Sequence, residues 1–201
     1  MLHLCFMLYI CATSDSGRME FIMFKINYEI MDPIEILQTY TPFDCHITGL
    51  FEMVANNKKY GLYDENLLIC PACAVYLPGW FERLLRVVKK LKRNPYILLN
   101  DVESFGVWIE FIYKSNFIDI SIINDVDFVD GQPDMLFHHM FCAKKAYGEW
   151  NAEKIGFEEF SYEVIKCSNE FLKRIYSINS SLRKNSVLRE IEMHLLECGC
   201  Q

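Results

Sequence analysis

The sequence predicts a single α+β domain, in which a mainly antiparallel sheet packs against amphipathic helices. Apolar and polar residues alternate along 24–30, which is the period of a strand with one buried face. Between 96 and 122 the connections are too short for parallel crossovers, so the strands there form an antiparallel meander. Near 79–93, 157–178 and 186–197 the apolar residues recur at helical spacing instead. Strands first and helices last is typical of the α+β class.

Short turn signals separate the predicted strands. These strands lie at 24–30, 47–55, 60–63, 96–99, 107–113 and 118–122, with a weakly patterned one at 135–144. Asn56-Asn57-Lys58-Lys59 supplies the turn of the first hairpin, and Ser115-Asn116 that of the last. Ile118, Ile120 and Ile122 then give one strand an apolar core face. Around 34–40, between two prolines, we expect a loop or a short helical turn.

The first long helix carries opposite apolar and basic stripes. Trp80, Leu84 and Leu91 share the apolar stripe, and Asn94-Pro95 ends the helix. The basic stripe contains Arg83, Arg86, Lys90 and Arg93. We expect this stripe to be a solvated face, and binding of RNA, lipid headgroups or an acidic protein is the alternative.

The composition of the chain limits the classes of partner that it is expected to bind. A formal net charge of −7 disfavours a nucleic-acid binder, because phosphate neutralisation requires clustered Lys and Arg. An acidic face would instead attract a basic partner. Nine cysteines, an odd number at irregular spacing, are typical of free buried thiols in a reducing cytoplasm. The sequence therefore predicts a cytoplasmic protein, and it leaves the oligomeric state open.

The N-terminal segment differs in character from the rest of the chain. Residues 1–12 are almost wholly apolar, but a bilayer span takes about 20 such residues. The segment also lacks the Lys or Arg with which a signal peptide begins. We interpret 1–20 as an extension outside the fold and 21–201 as the domain, with a weak signal peptide as the alternative. No membrane partner is expected.

Cys70-Pro71-Ala72-Cys73 is the most conspicuous motif. Such a pair can provide two corners of a zinc site or act as a redox dithiol. Zinc needs two further ligands, and Cys45 and His46 are candidates only if the fold gathers them. We expect structural thiols and no cofactor, and a metal- or thiol-dependent protein organised around Cys70 and Cys73 is the alternative function.

Signals of catalysis are weak. The sequence has no Gly-rich phosphate loop, nucleophile elbow or HExxH motif. His138 and His139 are adjacent, so their side chains diverge and do not easily act on one ligand. Glu110 and Asp119 can approach each other across a hairpin, but no motif marks them as an acid–base pair. We therefore predict a protein that is not an enzyme.

An acidic stretch with neighbouring aromatics is the predicted interaction surface. Residues 115–143 contain no Lys or Arg. Trp108 and Phe117 lie on the strand faces opposite the predicted core, where carboxylates would surround them. The candidate contact residues are Trp108, Glu110, Phe117, Asp119, Asp125, Asp127, Asp130 and Asp134. The alternative is that a helix covers this face and leaves only a solvated acidic loop.

The order of elements resembles one family. The residues that carry the resemblance are GLFEMVANNKKYG (49–61), the helix opening at Trp80, NDVESFGVWIEF (100–111), FIDISI (117–122) and WNAEKIGFEEFSYEVI (150–165). Over residues 23–178 this arrangement is similar to that of immunity proteins of bacterial polymorphic-toxin and contact-dependent growth-inhibition systems. The resemblance implies a cytosolic, acidic protein that binds and blocks a cognate toxin, often a basic nuclease. It transfers no contact residue, because these differ between subfamilies.

Overall fold

The computed structural model describes residues 23–64, 71–101, 103–104, 106–124, 134–137, 145–146 and 149–199. The described strands are β1 (Phe24–Ile30), β2 (Thr48–Ala55), β3 (Lys58–Leu62), β4 (Val75–Tyr76), β5 (Tyr96–Asn100), β6 (Val107–Lys114), β7 (Phe117–Asn124), β8 (Met135–Leu136), β9 (Lys145–Ala146) and β10 (Glu153–Gly156). The described α-helices are α1 (Ile34–Thr39), α2 (Leu77–Leu91), α3 (Phe157–Ile178) and α4 (Ser186–Gly199), with 3-10 turns at Pro71–Cys73 and Ser180–Lys184. These elements form a single α+β domain, which confirms the predicted class. The predicted extension at 1–20 lies outside the described residues.

The N-terminal sheet has the strand order β1-β2-β3, and β4 also pairs with β2. All of its pairs are antiparallel. Asn56 and Asn57 connect β2 to β3 with φ values of 50° and 67°. Two successive left-handed residues make the turn whose twist matches that of a hairpin, and asparagine tolerates this conformation. The predicted first hairpin is therefore confirmed, but its turn has two residues, because Lys58 and Lys59 belong to β3 and not to the turn as predicted.

The second sheet has the order β10-β7-β6-β5-β8, with β9 also paired to β7. Its centre is the predicted meander, in which Ile109 lies opposite Ile122 and Phe111 opposite Ile120. For the strand predicted at 135–144, the structure describes only 135–137, where β8 pairs with β5. His138 and His139 lie outside the described residues.

One hydrophobic core joins the two sheets through the helices. Phe160 of α3 contacts Phe24 of the first sheet and Phe111 of the second, with ring centroids 5.0 Å and 5.7 Å away. Phe81 of α2 contacts Phe171 of α3 at 4.9 Å. Because the same aromatic side chains bury surface from both sheets, the main core is shared, and a smaller cluster of Leu98, Trp108 and Ile123 lies on the other face of the second sheet.

The basic stripe of α2 was predicted to be a solvated face. This prediction is wrong for Arg83 and Arg86. Arg83 is only 6% exposed and its guanidinium lies over the Trp80 ring, 5.0 Å from the centroid. Arg86 donates to Asp134 at 2.7 Å and lies 3.5 Å from Glu82. These arginines lie near carboxylates of other segments of the chain. The spacing of residues along one helix does not reveal such neighbours.

The outer edge of β1 is closed by side chains of α3. The Phe24 amide donates to Glu159 Oε1 at 2.7 Å, and the Ile26 amide donates to Glu163 Oε1 at 3.2 Å. Burial raises the pKa of Glu159. Unpaired amides on an edge strand are sites for the addition of another strand, so these glutamates protect the edge.

Helix α4 lies against α2 and is joined to it by charged groups. Lys89 of α2 forms an ion pair with Glu197 of α4. Between them, His194 lies 3.5 Å from Glu82 and 3.3 Å from Glu197. In the part of the chain that the structure describes, none of the helices combines the length and the apolar character needed to cross a bilayer.

Candidate partner-binding surface

Trp108 is buried, so its prediction as an exposed contact residue is wrong. It is 0% exposed and packs with Leu98 and Ile123, while Tyr96 and Leu136 lie against this small cluster. Ile123 is its direct partner on β7, and Leu98 lies on β5. Neighbouring strands therefore supply apolar side chains to the same far face of the sheet. Residue alternation identifies that face but does not show what covers it.

Phe117, Glu110 and Asp119 lie near the predicted surface, but each has a partner from this chain. The Lys154 amino group lies 4.3 Å from the centre of the half-buried Phe117 ring. Asp119 forms an ion pair with Lys114 at 2.5 Å. Glu110 accepts a hydrogen bond from the Tyr96 hydroxyl at 2.9 Å. Two lysines therefore offset the negative charge expected here.

The acidic loop is described only at its end. Asp134 accepts two hydrogen bonds from the Arg86 guanidinium, at 2.7 Å and 3.3 Å. This pairing reduces the ability of Asp134 to attract a basic partner. The remaining candidates, Asp125, Asp127 and Asp130, lie outside the described residues.

The thiol candidates do not converge on a metal site in the described part of the chain. Within it, no three His, Cys, Asp or Glu side chains are arranged to hold an ion. Cys70 lies outside the described residues. The His46 ring stacks on Tyr76 at 4.9 Å. Burial, followed by the charge of Asp32, raises the pKa of Cys45 to about 11, which disfavours the thiolate that metal binding needs.

A buried polar cluster lies between the two sheets. Asp101 accepts hydrogen bonds from the Tyr60 hydroxyl and from the Glu103 amide, and it is 3% exposed. Its charge acts on the nearby Arg83, whose Nε and Nη2 have no hydrogen-bond partner among the described residues. Both Asp101 oxygens hold protein groups in place, which indicates a structural role.

Apolar side chains are exposed together on a different part of the surface, the 34–44 segment, which consists of α1 and the turn that follows it. Phe43 is fully exposed at 101%, and Ile34 and Ile36 are 56% and 46% exposed. Leu37 alone turns inward from this helix, at 2%. A rigid loop that displays large apolar side chains is typical of an interaction site.

Hydrogen bonds from distant residues hold the 34–44 segment. Asn179 Nδ2 donates to the carbonyl oxygens of Leu37, Gln38 and Tyr40, at 3.0, 3.3 and 2.9 Å. Asn185 Nδ2 donates to the Pro42 carbonyl at 2.9 Å. The backbone is therefore fixed although its apolar side chains face water. Preorganisation of this kind lowers the entropic cost of binding.

Asp32 fixes the base of the same segment. It accepts a hydrogen bond from the Thr48 amide at 2.6 Å and one from the Tyr40 hydroxyl at 3.2 Å. Burial and the neighbouring Asp32 carboxylate raise the pKa of Tyr40 to about 12, so its hydroxyl keeps the donated proton at neutral pH. The two ends of the segment are thereby held together.

The 34–44 segment is locally acidic. The chain has no Lys or Arg between residues 26 and 57. Glu35 and Asp44 are exposed beside the apolar side chains, and neither forms an ion pair with another described residue. An aromatic residue among unpaired carboxylates is the combination predicted for the 108–134 region, found at another place in the fold.

Comparison with family models, with curated proteins and with solved structures found no match in any of the three.

Proposed function

We propose that this chain is a binding protein that neutralises a basic cognate toxin through the 34–44 segment. The observation that carries the proposal is the complete exposure of Phe43 on a backbone fixed by Asn179 and Asn185. A buried aromatic residue at the centre of an interface often dominates its affinity. Phe43 would insert into the partner, with Ile34 and Ile36 beside it.

The local charge supports a basic partner. Glu35 and Asp44 would attract cations during the encounter and remain at the rim of the interface. The resemblance to toxin immunity proteins, which act by blocking a basic enzyme, supports the same chemistry. In this proposal the protein is cytoplasmic, needs no cofactor and performs no catalysis itself. Nucleic acid and membrane are not its partners.

The test uses the product of the gene adjacent to this one as the partner. The two proteins are mixed and their affinity is measured by calorimetry. We expect Phe43→Ala to weaken the complex by about 30-fold or more, as truncation of a central aromatic anchor does. Leu62→Ala is the matched control, because Leu62 is also an exposed large apolar residue but lies on β3. It should leave the affinity unchanged.

A second variant separates this surface from the acidic loop. Replacement of Asp125 and Asp127 by Lys reverses charge in the region first predicted from the sequence. If this double variant abolishes binding and Phe43→Ala does not, the interface lies at the loop and the assignment to the 34–44 segment fails. If the adjacent gene product does not bind at all, the proposal of toxin neutralisation fails.

A further inference from the structure

A groove runs along the outer side of α3 and α4. Its volume is about 630 Å³, and its lining includes Ile165, Leu172, Tyr176, Leu195 and Leu196. The helices are antiparallel neighbours, since the Tyr176 hydroxyl near the end of α3 lies 3.5 Å from the Leu188 carbonyl near the start of α4. Along α3 the groove extends from 165 to 177, or about 18 Å at the rise of an α-helix.

Large apolar side chains at this groove remain in water. Leu196 of the lining is 67% exposed, and Tyr162, about one turn before Ile165 on α3, is 60% exposed. The inward side of α4 is already used, because Leu188 and Ile191 are buried. The exposure of these apolar side chains therefore does not result from incomplete packing of α3 and α4 on the domain. An apolar strip of this kind marks an interaction surface.

Charges of opposite sign lie at the two ends of the strip. Lys173 lies near the end of α3 and has no ion-pair partner among the described residues, whereas Arg183 already pairs with Glu192 of the groove lining at 3.5 Å. Glu158, at the start of α3, is largely exposed and lies 3.7 Å from Lys92. A twofold rotation would bring the cationic end of one strip onto the Glu158 end of an identical strip. The surface is thus complementary to itself in charge and in apolar character.

We propose that the outer face of α3 and α4 is the interface of a homodimer in which the two helix pairs form a four-helix bundle. The chain has a net charge of −7, so an interface between copies needs local cations to offset repulsion. Lys173 supplies one. In bundles of this kind, apolar side chains from facing helices fill the shared centre. The inference does not rest on the proposed toxin binding, because the 34–44 segment is a different surface.

Sedimentation velocity of the full chain over a range of concentrations tests the dimer. We expect a concentration-dependent dimer, and Leu196→Glu or Tyr162→Glu should raise its dissociation constant by about tenfold or more, because each places a charge in the apolar strip. Thermal unfolding of the same variants checks that the fold remains intact. Phe43→Ala is the control for nonspecific association through exposed apolar side chains, and it should leave the dissociation constant of the dimer unchanged.

A charge exchange tests the orientation. Lys173→Glu should weaken the dimer, and adding Glu158→Lys to the same chain should restore part of the loss. A protein that stays monomeric at every concentration overturns the proposal, as does a dimer that resists both glutamate variants. Dimerisation that occurs only after removal of residues 1–22 also overturns it, because that segment would then be the native occupant of the groove.

Discussion

The side-chain amide of Asn179 donates a hydrogen bond to the Leu37 carbonyl at 3.0 Å, across 142 residues of sequence. Two further carbonyls, of Gln38 and Tyr40, accept from the same nitrogen. One residue after α3 therefore fixes the backbone that displays Phe43. The display of Phe43 therefore depends on a side chain that lies outside the 34–44 segment.

Asn179→Ala should loosen the 34–44 segment and lower the free energy of unfolding by about 2 kcal/mol, because backbone acceptors lose their donor. Hydrogen exchange of 34–44 and urea denaturation measure the two effects. Asn169→Ala removes an exposed asparagine from the middle of α3 and serves as the control. Equal exchange rates in both variants would contradict the role assigned to Asn179.

Leu37→Ala and Phe43→Ala should have different effects on stability. Leu37 attaches the 34–44 segment to the core, whereas Phe43 faces solvent. Leu37 is 2% exposed, so its truncation should cost about 3 kcal/mol through lost burial and a cavity. Phe43 is fully exposed, so its truncation should change the free energy of unfolding by less than about 0.5 kcal/mol. Chemical denaturation of the two proteins provides the comparison. A large loss for Phe43→Ala would mean that its ring packs on the fold.

His194 should make the attachment of α4 depend on pH. The hydrogen bond to Glu82 raises the pKa of His194, burial opposes this shift, and Glu197 adds to it. Lys89, which faces Glu197 from α2, also lowers this pKa slightly. A folded-state pKa above the unfolded value of about 6.5 means that the stabilisation is complete below that pH. It is lost as pH rises through the folded value.

The measurement is the melting temperature of the native chain and of His194→Gln between about pH 5 and 8, the range in which histidine titrates. We expect the native chain to be more stable by the largest margin at the acidic end, with the margin shrinking towards pH 8. A constant difference across the range would show that the imidazole contributes packing alone.

Asp101→Asn should destabilise the protein more than Tyr60→Phe does. The first change removes the buried carboxylate charge that acts most strongly on Arg83 and also disturbs two hydrogen bonds, at a cost of about 2 kcal/mol or more. The second removes one neutral donor, at about 1 kcal/mol. Urea denaturation ranks the two. The reverse order would mean that Arg83 does not depend on Asp101.

Metal analysis of the purified protein tests the alternative built on Cys70 and Cys73. We expect less than about half an equivalent of zinc and ready alkylation of both thiols, since a zinc-bound thiolate is protected. The opposite result would be one equivalent of zinc that a chelator removes, with loss of structure. That result would support the hypothesis of a metal-dependent protein.

The sequence predicted elements whose signals are local. The asparagines of the predicted 56–59 turn identified the first hairpin, because asparagine tolerates the left-handed conformation that a tight turn needs. The assignment of Lys58 and Lys59 to that turn was wrong, since both belong to β3. The apolar alternation of β6 and β7 identified their core face for the same reason. Helix α2 begins at Leu77, a little before the predicted start, since Pro78 fits the first turn of a helix.

The position of the candidate surface could not be predicted from local sequence signals. Burial of Trp108 depends on side chains from β5 and β7, and the exposure of Phe43 depends on Asn179 and Asn185 far along the chain. A Thr-Pro-Phe-Asp turn gives no sign of which of its residues face water. The burial of Arg83 was missed for a related reason, because its neighbouring carboxylates belong to other segments.

The glutamates that close the edge of β1 have a consequence for synthesis of the chain. Phe24 and its acceptor Glu159 are separated by 135 residues, so the first strand leaves the ribosome long before the helix that protects it. At ordinary rates of translation this interval is roughly 7 to 27 s. During that time the edge amides of the nascent chain are open to other strands. A chaperone bound near the N-terminus would protect the emerging polypeptide until α3 is made.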